Sequence, residues 1–264
     1  MSEILDPRAP VRIRHETRLR LLTVTTVTDI TPRMRRITLL GDLEGFVSPS
    51  YCDHIKAFIF PAGVEPYVAP IGERGAEFPP EDKPQMRDYT PRFWDIAAGK
   101  LELDFVLHGD GPASGWAAQA AIGQTLVIGG PRGSFMVPQD FDWYLLAGDE
   151  TALPAMGRRI EELPARTKVL AFIEVADAGE EQVFETAADL ELHYLHRHEV
   201  PAGHGSLILD AIRQADLPQG TAYAHILGES QMSKAVRAHL TEERGFNPEY
   251  VKSAGYWKLD EAGH

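Results

Sequence analysis

The 264-residue chain contains a single cysteine, Cys52. A lone thiol closes no internal disulfide and builds neither a thiolate cage for zinc nor the anchor of an iron–sulfur cluster. Cys52 is expected to pack as a small residue rather than act as a nucleophile. No run of 18 apolar residues occurs, so no helical membrane span is expected. Positive charge is also scarce, with 26 Lys and Arg against 39 Asp and Glu and a net charge of −13. That balance argues against nucleic acid as the main partner, because neutralising phosphates takes a basic surface. The arginines near the start (Arg8, Arg12, Arg14, Arg18, Arg20) have no apolar h-region beside them, so a solvated face is expected there, not a signal peptide. The protein is expected to be cytoplasmic.

With 44% hydrophobic and 25% charged residues, the composition is that of an ordinary globular protein, and the length fits two domains. Short runs rich in Leu, Val, Ile and Thr at 19–28, 33–40, 53–60, 87–94, 101–108, 125–128 and 134–137 are separated by Gly and Pro clusters. This pattern predicts a small antiparallel barrel. Residues 61–84 hold six prolines and three glycines and are expected to form a loop or flap. Beyond about residue 139 the pattern alternates. Strands are predicted at 143–147, 169–175, 190–195 and 222–227, with helices at 152–163, 207–214 and 230–244. Such alternation predicts a parallel sheet covered by helices. The expected fold is therefore a six-stranded antiparallel barrel over 1–139, followed by a parallel-sheet α/β domain over 140–264.

Four segments carry chemistry. In Met86-Arg87-Asp88-Tyr89-Thr90-Pro91-Arg92, an extended backbone puts Arg87 and Tyr89 on one face, and Pro91 disrupts regular pairing beside Thr90. A guanidinium grips a phosphate with two parallel hydrogen bonds, a phenol packs on a ring, and a hydroxyl bonds a ring-edge nitrogen. A flavin offers all three partners; the alternative is an edge strand with a surface arginine. His108-Gly109-Asp110-Gly111-Pro112-Ala113-Ser114 follows a strand and opens a helix whose free amides, with the Ser114 hydroxyl, suit a diphosphate. Equally, it reads as a capped helix after a glycine turn. Gly148-Asp149-Glu150-Thr151-Ala152-Leu153-Pro154 stands where α/β sheets bind ligands, yet it carries two carboxylates in place of glycines. These acids repel a phosphate, or serve the helix macrodipole. Finally, Gly255-Tyr256-Trp257-Lys258 sets aromatics beside a cation, suited to covering a ring and attracting an anion. His193, His196, His198 and His204 lack a common strand parity and a carboxylate pattern, so they are expected to be surface or loop histidines and no metal site is expected.

Taken in order, RDYTPR at 87–92, HGDGPAS at 108–114, GPRGSF at 130–135, GDETALPA at 148–155 and GYWK at 255–258 resemble the siderophore-interacting protein family. These are FAD-containing ferric-siderophore reductases related to ferredoxin reductases, and the resemblance runs from about Thr17 to Lys258. It implies that the barrel over 1–139 binds FAD, that the domain over 140–264 resembles a nicotinamide-nucleotide domain, and that Arg87, Tyr89 and Thr90 contact the flavin and its phosphate. His108 is implied beside the flavin, Ala113 and Ser114 at the diphosphate, and Thr151 near the FAD or the nucleotide. Lys56, Lys258, Arg244 and Lys252 are the implied cations for an anionic ferric siderophore, with NAD(P)H or reduced ferredoxin as electron donor. One departure stands out: Lys258 is followed by Leu259-Asp260-Glu261 rather than a further basic residue, which implies a smaller positive patch. Two other readings share parts of this pattern, a general ferredoxin- or flavin-type NAD(P)H oxidoreductase and a non-enzymatic binder of iron chelates.

Overall fold

The structure, a computed structural model, describes residues 8–72, 75–109 and 111–259. The chain divides into two compact units. One is Arg12–Phe135; the other is built from residues 136–259 together with residues 8–11. No helix among the described residues is long and apolar enough to cross a membrane.

The first unit is a curled antiparallel sheet. Its elements are β1 (Val11–Arg14), β2 (Leu19–Thr31), β3 (Met34–Leu40), β4 (Ile55–Ile59), the two-residue pair β5 (Ile71–Gly72) and β6 (Gly75–Ala76), β7 (Gln85–Tyr89), β8 (Pro91–Asp95), β9 (Lys100–Val106), the helix α1 (Pro112–Ala118), β10 (Thr125–Gly129) and β11 (Gly133–Met136). The main sheet runs β7-β4-β10-β2-β3-β9-β8, and β1 pairs with β11 in a separate ribbon. Seven paired segments stand where six strands are expected. The reason lies at Thr90: β7 and β8 are one chain segment, 85–95, broken at that residue. Its first half pairs with β4 and its second half with β9, the two ends of the sheet order. A single bent strand thus joins both edges, and the sheet curls into a barrel without leaving them open. Alternating residues fill the interior, among them Leu22, Val24, Ile37, Leu39, Ile55, Leu101, Leu103 and Phe105, all fully buried.

Residues 61–84 are less irregular than their prolines predict. Phe58 on β4 and Phe60 just after it meet Phe78 at ring-centroid distances of 5.7 and 5.5 Å, and Tyr67 packs on Phe60 and Phe78. The Tyr67 hydroxyl donates to Asp82 at 3.1 Å. Aromatic packing anchors this loop to the barrel, where prolines alone would leave it loose.

The second unit is a parallel five-stranded sheet in the order β14-β13-β12-β15-β16. The strands are β12 (Trp143–Asp149), β13 (Lys168–Val175), β14 (Asp189–His196), β15 (Ala222–Glu229) and β16 (Val251–Trp257), connected through α2 (Leu153–Glu162), α3 (Leu207–Gln214) and α4 (Ser230–Ala238). β12 and β15 are buried along their whole length, as parallel strands covered on both faces must be. The helix predicted over 230–244 is α-helical only to Ala238 and continues as a π-helical turn, His239–Glu243.

Candidate functional site

In the barrel, the register between β7 and β4 decides which predicted residues share a face. Arg87 lies opposite Ala57, and Tyr89 opposite Ile55; both partners are fully buried. Arg87 and Tyr89 therefore face the barrel interior and are themselves half-buried. The Tyr89 ring packs on Phe105 with centroids 4.2 Å apart, and Phe105 meets Trp116 of α1 at 5.5 Å. Burial pushes the Tyr89 phenol above its ordinary range, with Arg87 pulling the other way, so the ring is a neutral donor at physiological pH. The Arg87 guanidinium donates to the Met86 carbonyl at 2.8 Å and forms no ion pair among the described residues. Thr90, at the break between β7 and β8, is buried and belongs to neither ladder.

Lys56 falls on the other face. It lies opposite Asp88, and its ammonium bonds that carboxylate at 2.6 Å, with His54 3.9 Å from the same group. The structure thus separates Lys56 from Arg87 and Tyr89 by the thickness of one strand.

The second barrel motif ends β9 and begins α1. Gly109 has φ +41°, and a Cβ on Gly111 would stand 3.2 Å from His108 Cε1. Gly111 is the N-cap and supplies no side chain, while Pro112 fills the first helical position. The amides of Ala113 and Ser114 therefore open the helix without a side-chain cap. Both residues are buried. The Ser114 hydroxyl accepts the His108 backbone N–H at 2.8 Å, which ties the turn and leaves its own O–H to donate. The His108 ring is exposed. Asp110 lies outside the described residues. An uncapped helix start, a glycine turn without Cβ atoms, an arginine without a carboxylate and a neutral phenol together make a donor set suited to a flavin carrying a diphosphate.

In the second unit, the C-terminal edge of the sheet is organised around Asp149. One carboxylate oxygen accepts the Thr151 amide at 2.9 Å and the Thr151 hydroxyl. The other accepts the Glu229 amide at 2.8 Å and the Trp257 indole N–H at 2.8 Å. Burial, followed by the neighbouring Glu150, raises the Asp149 pKa, while these hydrogen bonds oppose the rise. Glu150 is held bidentately by the nearly buried Arg197. The two acids expected to repel a phosphate are thus largely satisfied within the chain. Gly228 makes this possible: its φ is +118°, and a Cβ there would lie 2.4 Å from Asp149 Oδ2. Glu229 caps α4 through its side chain. Trp257 is fixed from further sides, since Ser230 Oγ donates to its carbonyl at 2.9 Å and Gly203 lies against its ring.

This edge gathers Thr151 and Trp257, with Lys258 directly after β16. It does not gather Arg244, which donates to the Ala215 carbonyl at the end of α3. The helical segment 230–243 carries the chain from this edge toward the opposite end of the sheet, about 20 Å at 1.5 Å per residue. Lys252 lies at the start of β16 in register with His225, five residues and about 16 Å before Trp257. His193 and His196 bond Glu191 and Glu181 at 2.8 and 2.7 Å. The parts not anticipated from sequence are Arg197, Glu174, Gly203 and the Gly228-Glu229-Ser230 turn. The last carried a readable signal, a glycine and a capping acid between an apolar strand and a helix.

Two family models match the chain: a siderophore-interacting FAD-binding domain over residues 23–135 and a siderophore-interacting protein domain over residues 141–260. The chain belongs to the siderophore-interacting protein family. It is similar to an NADPH-dependent ferric-chelate reductase of Escherichia coli, 35% identical over 95% of this chain and 97% of the relative. A ferric vibriobactin reductase of Vibrio cholerae is 32% identical over 87% and 85% of the two chains. Among solved structures, a siderophore utilization protein from T. fusca superposes with a TM-score of 0.88 at 37% identity, covering 96% of this chain and 97% of the other. As in the family model, this siderophore-interacting protein carries its FAD-binding domain in the barrel.

Proposed function

We propose that the protein is an FAD-dependent ferric-siderophore reductase that releases iron as Fe(II). The observation that carries this reading is the donor set on one barrel, namely the inward Arg87–Tyr89 face, the Thr90 break and the uncapped start of α1. It is supported by full-length similarity to proteins named as ferric-chelate and ferric-vibriobactin reductases. In this reading Arg87 grips a phosphate of FAD, the amides of Ala113 and Ser114 take its diphosphate, Tyr89 and Thr90 meet the flavin ring, and His108 lies beside it. Thr151 and Trp257 belong to the donor side.

Held by these residues, FAD would supply the conversion between a hydride from NAD(P)H, or single electrons from reduced ferredoxin, and a one-electron acceptor. Two electrons reduce two ferric chelates. Oxygen chelators grip Fe(II) far less strongly than Fe(III), because charge density falls on reduction, so the metal leaves. The chain's task is to hold, orient and screen, and no acid–base residue is required. A net charge of −13 opposes an anionic chelate, so a local cation must offset it. Lys258 is the candidate at the sheet edge. One cation about 4 Å from the chelate contributes on the order of 4 kcal/mol at an effective dielectric near 20, before desolvation. The reading places the reductase in the cytoplasm.

The test is Arg87→Ala. The purified variant should lose most of its flavin absorbance relative to protein, while its far-ultraviolet dichroism stays that of the wild type. A wild-type flavin ratio would remove Arg87 from the site. Lys258→Ala should keep the flavin and slow reduction of anionic ferric chelates several-fold in stopped flow, and unchanged rates would remove that lysine.

A further inference from the structure

Arg92 ends the RDYTPR segment and has no part in the donor set of the barrel. It stands on β8, two residues past Thr90, where the pairing with β9 slips. Pro91 lies opposite Leu103, yet Phe93 lies opposite Glu102, so Arg92 is the extra residue of a β-bulge. The bulge reverses the alternation of the strand. Pro91 is buried opposite the core residue Leu103, and Trp94, opposite Leu101, packs on the barrel core and meets Phe46 at 6.1 Å. Arg92 and Phe93, between them, both fall on the outer face, where the Lys100 ammonium sits 5.0 Å from the Phe93 ring centre. Without the bulge Phe93 would turn inward and Trp94 outward. Both residues are apolar, so alternation does not choose between these registers.

Charge does. Asp104 lies on the outer face of β9 with its side chain 2% exposed, opposite Arg36 of β3, which grips it bidentately at 2.7 and 2.8 Å. Arg92 Nε stands 3.8 Å from the same carboxylate. Arg36 is also 3.8 Å from Glu102, which Lys100 bonds at 2.6 Å. Lys100, Glu102, Arg36, Asp104 and Arg92 thus alternate in sign across β9, β3 and β8. In the unbulged register Arg92 would face Glu102, a carboxylate already met by Lys100 and Arg36. In the bulged register it reaches the buried Asp104, where attraction is poorly screened. Buried ion pairs add little net stability, and their best-attested use is to fix register.

A bulge bends its strand and sharpens the twist. Here the bend falls just after Thr90, which belongs to neither ladder and takes its place from its two flanks. One flank is Tyr89, opposite Ile55; the other is Pro91 with the bulge. We propose that Arg92 is a positioning residue for Thr90: through Asp104 it holds the bulge, and the bulge sets the angle at which the Thr90 hydroxyl meets the flavin. The proposal rests on the reading above that Thr90 meets the flavin ring.

The experiment uses the flavin-loaded protein as wild type, Thr90→Val, Arg92→Gln, Arg92→Lys and the double variant Thr90→Val with Arg92→Gln. Two properties are read: the FAD dissociation constant, from flavin fluorescence released on dilution, and the position of the bound-flavin absorption band. Thr90→Val should weaken FAD binding about fivefold, the effect of one lost hydrogen bond. Arg92→Gln should weaken it about threefold to fivefold and move the band in the same direction as Thr90→Val. Arg92→Lys should stay within about twofold of wild type, because a single 3.8 Å contact is not a bidentate grip. The double variant should bind FAD no more weakly than Thr90→Val, since the hydroxyl that Arg92 positions is gone. Factors that multiply in the double variant would overturn the proposal, because a merely structural arginine acts independently of Thr90. An unchanged Arg92→Gln beside a weakened Thr90→Val would also overturn it and leave the Thr90 contact standing. An unchanged Thr90→Val would remove both, while its bound flavin still reducing ferric chelates would keep the reductase reading. Arg36 still neutralises Asp104 in Arg92→Gln; should that variant not fold, Asp104→Asn loosens the clasp from its other end and gives the same cycle with Thr90→Val.

Discussion

Replacing Gly228 with alanine tests whether Asp149 is the hub of the second unit. The residue sits at φ +118°, outside the basins open to L-residues, and the new methyl would stand 2.4 Å from Asp149 Oδ2 and 2.6 Å from its Cγ. The carboxylate cannot swing aside freely, because it accepts from Thr151, Glu229 and Trp257. Backbone strain of this kind costs about 1–3 kcal/mol. Displacing the carboxylate orphans the buried Glu229 amide and the Trp257 indole, at about 1 kcal/mol or more each. Together about 4 kcal/mol is expected, a loss large enough to need a named cause. Hydrogen exchange at the amides of β15 reads this unit alone and avoids assuming that the whole chain unfolds in one step. The free energy of opening there should fall by about 4 kcal/mol, while exchange in β2 and β3 of the barrel stays unchanged. A loss below about 1 kcal/mol would show that Asp149 has room to move and that the hub is not rigid.

Trp257→Phe keeps an aromatic ring but loses the pyrrole half of the indole, and with it one donor to Asp149. It should reduce the opening free energy at β16 by about 1 kcal/mol, read by the same exchange method, and an unchanged value would mean the indole bond contributes nothing net. Glu174 has a folded-state pKa of about 7 against an ordinary 4.5, so the native state holds its proton longer than the unfolded state. Its contribution to stability is therefore intact at low pH and is lost as pH rises from about 4.5 through 7. Glu174→Gln should exceed the wild type by about 3 kcal/mol in urea unfolding at pH 8 and by less than about 1 kcal/mol at pH 5. A difference independent of pH would refute the assignment. Lys56→Ala removes a part-exposed pair with Asp88 and should change stability by less than about 1 kcal/mol in the same unfolding assay, with flavin content unaltered; a larger loss would give that pair a structural role.

The sequence by itself determined most of the elements and which candidate residues of the barrel share a face. Strands and helices follow the apolar periodicity. Arg87 and Tyr89 share a face because alternate residues of any extended strand do, and Pro91 marks the break at Thr90. Gly111 and Pro112 announce the helix start, since both act through local backbone preference. Tertiary structure decided whatever depended on partners far along the chain. Lys56 lies opposite Asp88, 32 residues away, and only that register puts it on the face away from Arg87. Asp149 reads locally as a charge that repels phosphate. It becomes a satisfied hub through Trp257, 108 residues later, and through a glycine whose missing Cβ leaves it room. Glu150 is neutralised by Arg197 across 47 residues, and Arg244 is carried off by the length of the helical segment before it. Local patterns fix dihedral angles and faces, which depend on a few neighbouring residues. The pairing of buried charges depends on which chain ends the fold brings together, and no local pattern encodes that.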